Sequence, residues 1–177
     1  MTGMVDHRGG VSVAGLPASA EAPAEAAVRA FVYDWYRLLD EHAPVEQYLP
    51  LLSDDVELVL PEVTLTGPEA FAAWYRGGSE KYSSLPGVTN VFFDEVHELK
   101  RVDISLDDGA PGAGGHASVL VVVRWEAHRW TPPNPRSDVL RFDAWQRWVL
   151  ELSPQGRPLL RRYIVDKLEP LQGSGAL

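Results

Sequence analysis

The stretch Leu85-Pro86-Gly87-Val88-Thr89-Asn90-Val91 marks the point at which the hydrophobic pattern of this chain changes. Before it, apolar residues recur about every three to four positions, as on one face of a helix. After Gly87 they alternate with polar residues, as along a strand with one buried face. A chain that places helices first and strands afterwards is predicted to have an α+β fold, in which the sheet wraps the helices.

Three helices are predicted upstream of this stretch. The first begins near Pro23, because proline suits the first helical turn, and its apolar residues follow helical spacing: Val28, Phe31, Val32, Trp35, Leu38 and Leu39. A short second helix is predicted after Pro44, at residues 45–52. The third presents an apolar face made of Ala70, Phe71, Trp74 and Tyr75. Brief strands are expected at residues 56–60 and 63–65.

Four long strands are predicted downstream, at residues 88–103, 116–130, 137–152 and 159–168. Turns join them in sequence, which predicts an antiparallel meander. The inward face is predicted from two apolar sets with Gln146 as their one polar member: Ala117, Val119, Val121, Val123, Trp125 and Ala127, then Leu140, Phe142, Ala144, Trp148 and Leu150. The opposite face is predicted to hold cross-strand charge pairs among Arg124, Glu126, His128, Arg141 and Asp143.

Composition limits the classes of partner and the chemistry. The 177 residues fit one domain, expected at 21–170, between flexible segments at 1–20 and 171–177. A net charge of −9 argues against nucleic acid and anionic membranes as partners. The chain has no cysteine, no metal-ligand spacing and no phosphate-binding glycine loop, so we expect no metal and no cofactor. Without a secretory signal or an apolar span, a soluble cytoplasmic protein is expected.

Several segments taken in order resemble one known family. Residues 28–41 with Tyr36 and Asp40, residues 51–56, residues 66–70 with Trp74, and residues 141–147 are similar to the SnoaL-like branch of the NTF2-like superfamily. The resemblance spans roughly residues 24–168. It implies an NTF2-like cone, with three N-terminal helices packed on a curved antiparallel sheet around a pocket.

The resemblance also implies a site that this chain only partly keeps. Enzymes of the branch pair an aspartate of the first helix, here Asp40, with a histidine four residues before an asparagine, here Asn90. The carboxylate orients the imidazole, which takes a proton from carbon. Position 86 holds proline, so the dyad is expected to be incomplete unless His97 or His42 substitutes, and His42 lies too near Asp40 in sequence to be convincing. Asp40 is the candidate catalytic residue, with a structural, solvent-exposed role as the alternative.

Five further residues are candidates for ligand binding. Tyr36 lies one helical turn before Asp40 on the same side of the first helix. Asn90 is either a donor to the pocket or a cap at the end of a strand. Because a pocket in this fold is built from core positions, three tryptophans are expected in its wall: Trp74, Trp125 and Trp148.

Three functions follow as expectations. The first is a protein that binds a small, largely apolar or aromatic molecule without a complete dyad. The second is a dehydratase, isomerase or cyclase that uses Asp40 on a small hydrophobic carbonyl or hydroxy compound. The third rests on residues 31–41, 51–56 and Pro61, which also resemble the non-catalytic β subunit of ring-hydroxylating dioxygenases, although its Ser-Arg-Thr-Arg-His stretch is absent.

The outer face of the sheet is also predicted to form a contact between two copies of the chain. Trp145 and Val149 lie among the charges of that face and favour a homodimer through it.

Overall fold

A computed structural model describes residues 22–78, 81, 84–107 and 114–177 of the chain. The order of elements is helix α1 (Pro23–Asp40), two 3₁₀ turns (Val45–Gln47 and Leu49–Leu51), strands β1 (Leu52–Val59) and β2 (Thr64–Thr66), and helices α2 (Pro68–Arg76) and α3 (Val88–Val91). Four long strands follow: β3 (Phe92–Asp107), β4 (Gly115–Arg129), β5 (Asp138–Leu152) and β6 (Pro158–Pro170). The predicted α+β class is confirmed.

The six strands form one sheet in the order β2-β1-β6-β5-β4-β3. The meander β3 to β6 is antiparallel, as predicted, because each turn reverses the chain. The expectation that the whole sheet is antiparallel is wrong at one place. Strand β1 pairs parallel with β6, with Leu58 opposite Tyr163, so the sheet is mixed. The long connection between β1 and β6 permits this parallel pair, which no local pattern indicates.

Two element predictions need correction. The second helix is replaced by the two 3₁₀ turns, because Pro50 lacks the N–H that a continued α-helix would need. The strand predicted from position 88 begins only at Phe92, since α3 intervenes. Gly87, with a φ of 88°, turns the chain into this helix.

The core lies between α1, α2 and the concave sheet face. Helix α1 buries the apolar stripe that its spacing predicts, and the inward sets of β4 and β5 are buried apart from Trp125, which is half-buried. Trp35 is 1% exposed and lies at the centre of an aromatic cluster. Its ring contacts Phe31, Tyr48, Phe71, Trp148 and Tyr163.

Residues 171–177, expected to be flexible, lie beside β5. The Leu171 N–H donates to the Arg141 carbonyl at 2.8 Å, and the Gly175 N–H donates to the Val139 carbonyl at 2.7 Å. The segment brings Leu177 to the mouth of the cavity described below. Residues 1–20, the other segment expected to be flexible, lie outside the described residues. Within the described ranges, no helix is long and apolar enough to cross a membrane.

Candidate active site

A cavity of about 210 Å³ lies between α1, α2, the start of β3 and the inner face of β4 to β6. Its walls are mostly apolar and include both Trp74 and Trp125. In the part of the chain that the structure describes, no lysine or arginine borders it. The polar side chains in its wall are Glu62, Glu95, His97, Gln146 and Tyr163.

His97 is paired with Asp40 in this wall. The His97 Nδ1 lies 2.6 Å from Asp40 Oδ1, and the His97 backbone N–H donates to Asp40 Oδ2 at 3.2 Å. The carboxylate therefore fixes both the backbone and the ring of His97. Because a carboxylate accepts a proton donor, Nδ1 carries hydrogen and Nε2 keeps its lone pair for a molecule in the cavity. Of the two histidines considered as substitutes for the one absent at Pro86, His97 is the one that contacts Asp40.

Gln146 presents a fixed amide to the cavity. The Tyr36 hydroxyl donates to Gln146 Oε1 at 2.5 Å, and Trp148 Nε1–H donates to the same oxygen at 3.0 Å. An indole N–H can only donate, so the atom facing Trp148 must be the amide oxygen. The Gln146 NH₂ group carries two hydrogens, so besides its contact with Tyr163 it can donate one hydrogen bond to a ligand. Both Tyr36 and Trp148 are buried behind Gln146 and do not border the cavity.

Two buried tyrosines flank this amide. Burial raises the pKa of Tyr163 to about 12, while its hydrogen bonding to Tyr36 and Gln146 opposes the increase. Burial also raises the pKa of Tyr36 well above 10, with Tyr163 as the next cause. Both phenols therefore remain protonated at neutral pH, which leaves the Tyr36 hydroxyl a permanent donor to Gln146.

Glu95 is a carboxylate in the cavity wall that is only 7% exposed. Trp125 Nε1–H donates to Glu95 Oε2 at 2.9 Å, and His42 Nε2 lies 2.8 Å from Glu95 Oε1. A buried carboxylate is costly unless it is paired and hydrogen-bonded, and these two neighbours meet that requirement. His42, considered above as a partner for Asp40, instead pairs with Glu95.

A β-bulge turns Glu95 inward. Phe93 pairs with His128 but Val96 pairs with Glu126, so β3 carries one extra residue there. Asp94, with a φ of 52°, lies within this irregularity. Simple alternation from the inward Phe92 would send Glu95 outward, and the extra residue reverses that assignment. Glu95 and His97, two positions apart, then face the same side.

The structure separates the remaining candidates for ligand binding. Trp74 and Trp125 border the cavity, whereas Asn90 does not. The Asn90 side-chain NH₂ donates to the Pro86 carbonyl at 2.8 Å and to the Arg76 carbonyl at 3.3 Å. These contacts join the end of α2 to the turn before α3, so the Asn90 side chain contacts backbone carbonyls rather than the cavity. Asp40 lies behind His97 rather than in the cavity wall, which suits a residue that positions another.

Sequence reasoning did not assign Glu95 and Gln146 to the site. Gln146 had a signal, since it is the one polar member of an apolar strand face. Glu95 had none, because the bulge at Asp94 changes the face on which it lies. Among the described residues, no group of three or more His, Asp or Glu side chains is arranged to hold a metal ion.

Comparison with solved structures identifies the fold. A candidate aromatic ring hydroxylase from Novosphingobium aromaticivorans is 12% identical with a TM-score of 0.64, over 85% of this chain and 96% of that one. A hexachlorocyclohexane dehydrochlorinase is 14% identical with a TM-score of 0.59, over 86% and 91% of the two chains. A nuclear transport factor 2-like superfamily protein from Salmonella enterica is 10% identical with a TM-score of 0.58, over 86% and 94%.

The chain therefore has the NTF2-like fold that its sequence resembles. At these identities the likeness concerns the fold alone, because one fold carries many activities. No protein-family profile matches the chain. No curated protein matches it either.

Proposed function

We propose that this protein is an acid–base enzyme that removes a proton from carbon in a small, largely apolar carbonyl or hydroxy compound. The observation that carries the proposal is the His97–Asp40 pair, joined at 2.6 Å in the wall of an apolar cavity. A histidine held in one tautomer by a carboxylate is a suitable general base near neutral pH. The geometry thus favours the enzyme over the protein that binds without catalysis.

The proposed step uses three side chains. His97 Nε2 takes a proton from the carbon next to a carbonyl group, and the electron pair of that bond moves toward the carbonyl oxygen. The Gln146 NH₂ group donates a hydrogen bond to this oxygen as negative charge develops there. Asp40 stabilises the imidazolium that His97 becomes. Tyr36 and Trp148 keep the Gln146 donor in place.

The cavity wall also indicates the class of substrate. Glu62 and Glu95 border the cavity, and no described lysine or arginine balances them. A substrate carboxylate or phosphate would find no lysine or arginine in the described wall with which to pair, so a neutral compound is expected. A cavity of about 210 Å³ with Trp74 and Trp125 in its wall suits a compound of one or two rings.

Hydrogen exchange at carbon tests the proposal directly. Benzylacetone, a neutral aryl ketone, is incubated with the protein in deuterated water, and loss of its signals next to the carbonyl is followed by NMR. We expect enzyme-dependent exchange that falls about 100-fold or more in His97→Gln, the usual size of a general-base contribution. Asp40→Asn should lose at least tenfold, because the asparagine cannot stabilise imidazolium. Asp34→Asn, an exposed change on the same helix, is the control.

The outcomes separate the alternatives. Benzylacetone that binds in calorimetry without any exchange would support a binding protein and contradict the enzyme. Exchange that is equal in His97→Gln and the unaltered protein would remove His97 from the mechanism. Neither binding nor exchange, together with a stable complex with an iron–sulfur protein, would favour the dioxygenase subunit.

We further propose a symmetric homodimer through the outer sheet face. The face carries cross-strand ion pairs, including Arg124 to Asp143 at 2.9 and 3.0 Å. Exposed apolar side chains lie among these charges, with Leu120 at 51% and Val139 at 46% exposure. In an interface between identical chains, apolar groups such as these would form the buried centre and the ion pairs would lie at the polar rim.

A further inference from the structure

We propose that Glu95, held by Trp125 and paired with His42, is a second proton-transfer group of the cavity and protonates a departing substrate hydroxyl. The substrate class then narrows to small, neutral hydroxy ketones, and the reaction to loss of water. This inference rests on the proposed function, because His97 must remove the carbon-bound proton in the same reaction.

The contacts of Glu95 leave it able to reach a ligand. Trp125 can only donate, so Glu95 Oε2 accepts from it, and Glu95 Oε1 lies within hydrogen-bond distance of His42 Nε2. The two contacts occupy two of the roughly four lone-pair positions of a carboxylate. Since Glu95 borders the cavity, a substrate hydroxyl can occupy a remaining position. His42 and Trp125 thus hold the Glu95 carboxyl group in place, and one side of that group still faces the cavity.

The backbone conformation of His42 indicates that its side chain is kept for the contact with Glu95. Helix α1 ends in a Schellman arrangement, in which the Ala43 N–H donates to the Leu38 carbonyl and the His42 N–H to the Leu39 carbonyl. The residue at the position of His42 adopts a left-handed φ, here 48°, which glycine normally supplies. A histidine at this position is sterically less favourable than glycine, but its side chain makes the contact with Glu95.

Asp94, which precedes Glu95, also has a left-handed φ, of 52°. In the described part of the chain, His42 and Asp94 are the two non-glycine residues with a left-handed φ. One of them is a member of the pair, and the other belongs to the bulge that turns Glu95 inward. Strained residues that cluster in this way are characteristic of functional sites.

The Asp40–His97 and His42–Glu95 pairs join the same two parts of the fold. Asp40 is the last residue of α1 and His42 lies in the turn after it, and β3 supplies His97 and Glu95 as their respective partners. Two residues along a strand separate Glu95 and His97 by roughly 7 Å between their Cα atoms. An acid and a base at different points of one cavity suit a reaction that removes hydrogen from one carbon and a hydroxyl from the next.

His42 also connects the cavity with solvent. Its side chain is 25% exposed, whereas that of Glu95 is 5% exposed. A proton can therefore pass from solvent to His42 and from His42 to Glu95 without opening the cavity. His97, at 9% exposure, is more enclosed than His42.

The proposed reaction removes one molecule of water from the substrate and returns each side chain to its starting protonation state. His97 takes the proton from the carbon beside the carbonyl, and that electron pair forms the carbon–carbon double bond. The carbon–oxygen bond of the hydroxyl on the next carbon breaks, and its oxygen takes a proton that Glu95 carries on the side open to the cavity and leaves as water. His42 then takes a proton from solvent at Nδ1 and passes the proton on Nε2 to Glu95, while His97 releases its proton to solvent.

The experiment compares two reactions in each variant. Dehydration of the aldol adduct of benzaldehyde and acetone is followed by the ultraviolet absorption of the resulting enone. Hydrogen exchange of benzylacetone, which needs His97 but no departing hydroxyl, is measured in parallel. In Glu95→Gln we expect the ratio of dehydration to exchange to fall about 100-fold or more. Glu98→Gln, an exposed change of the same kind on the same strand, is the matched control and should keep the ratio.

His42→Gly is a second variant that does not depend on the folding of Glu95→Gln. Glycine suits the left-handed φ, and this gain offsets part of the stability lost with the Glu95 contact, so the variant should still fold. Its ratio of dehydration to exchange should nevertheless fall about tenfold or more and recover on addition of imidazole. A role of His42 in folding alone would change the unfolding temperature and leave the ratio unaltered.

The failures of the two proposals can be distinguished. If the unaltered protein exchanges benzylacetone but does not dehydrate the adduct, or if Glu95→Gln and His42→Gly keep its ratio, the inference about Glu95 is overturned while the proposed function stands. If the unaltered protein does neither reaction, the proposed function fails and the inference fails with it.

Discussion

The phenol of Tyr163 borders the cavity, yet the residue is only 7% exposed. Its ring contacts both Trp35 and Trp148, so it joins the core to the wall of the site. Burial disfavours the phenolate and raises the pKa of Tyr163 to about 12, above the ordinary value of 10.0. Because Tyr163 is buried and stays protonated in the folded state, the free energy of unfolding should depend on pH in the alkaline range.

The sign of this dependence follows from proton binding. Between about pH 10 and 12 the unfolded chain has lost the Tyr163 proton and the folded chain keeps it, so the free energy of unfolding falls as pH rises. The contribution is complete below about pH 10 and is lost by about pH 12, with a size of roughly 2–3 kcal/mol. In urea unfolding, Tyr163→Phe should reduce this alkaline loss. Tyr33→Phe, at an exposed position, should not, and equal losses in both variants would contradict the assignment.

At the scale of elements, the turn between α2 and α3 fixes where the long strands begin. Gly87 has a φ of 88°, and a Cβ placed there would lie 2.4 Å from the Gly77 nitrogen and 2.7 Å from the Arg76 carbonyl carbon. Asn90 closes the same turn by donating to the carbonyls of Pro86 and Arg76. The turn therefore sets the start of β3, on which Glu95 and His97 lie.

Gly87→Ala should be strongly destabilising, because it combines an unfavourable φ with backbone overlap. We expect a loss of about 2–4 kcal/mol in the free energy of unfolding, measured by urea denaturation. Gly156→Ala is a matched control, since its φ is 77° but nothing lies within 4 Å of the added Cβ. It should lose only about 1–2 kcal/mol. Equal losses at the two positions would show that the contacts around Gly87 do not matter.

At the scale of the whole molecule, the two faces of the sheet differ in chemistry. The inner face carries the apolar sets and the cavity, whereas the outer face carries ion pairs such as Arg147 to Asp166 at 2.7 Å. Trp145 also lies on the outer face, with Lys167 Nζ 4.6 Å from its ring centroid. Exposed ion pairs contribute little to stability, and Leu120 lies among them on the face through which the homodimer is proposed.

Sedimentation tests the proposed homodimer. We expect a dimer at micromolar concentration, and we expect Leu120→Asp to raise its dissociation constant at least tenfold, because the carboxylate would be buried without a partner. Tyr33→Asp, which adds the same charge at another exposed apolar residue, should leave the dimer intact. A monomer in the unaltered protein would refute the proposal.

The sequence by itself determined the class of fold and the face on which most strand residues lie. The change of period after Gly87 separates helices from strands, and alternation in β4 and β5 assigns the buried sets and the outer charge pairs. These features are local, since each depends on neighbours within a few residues. The resemblance to the NTF2-like fold also depended on the order of local segments.

Only the tertiary structure decided which side chains meet. Asp40 and His97 lie 57 residues apart, and His42 and Glu95 lie 53 apart, so no local spacing indicates either pair. The parallel pairing of β1 with β6 is equally remote in sequence. One extra residue at Asp94 exchanges the two faces of β3, which places Glu95 in the cavity. Residue identities supplied the acids and bases, and long-range packing determined their partners.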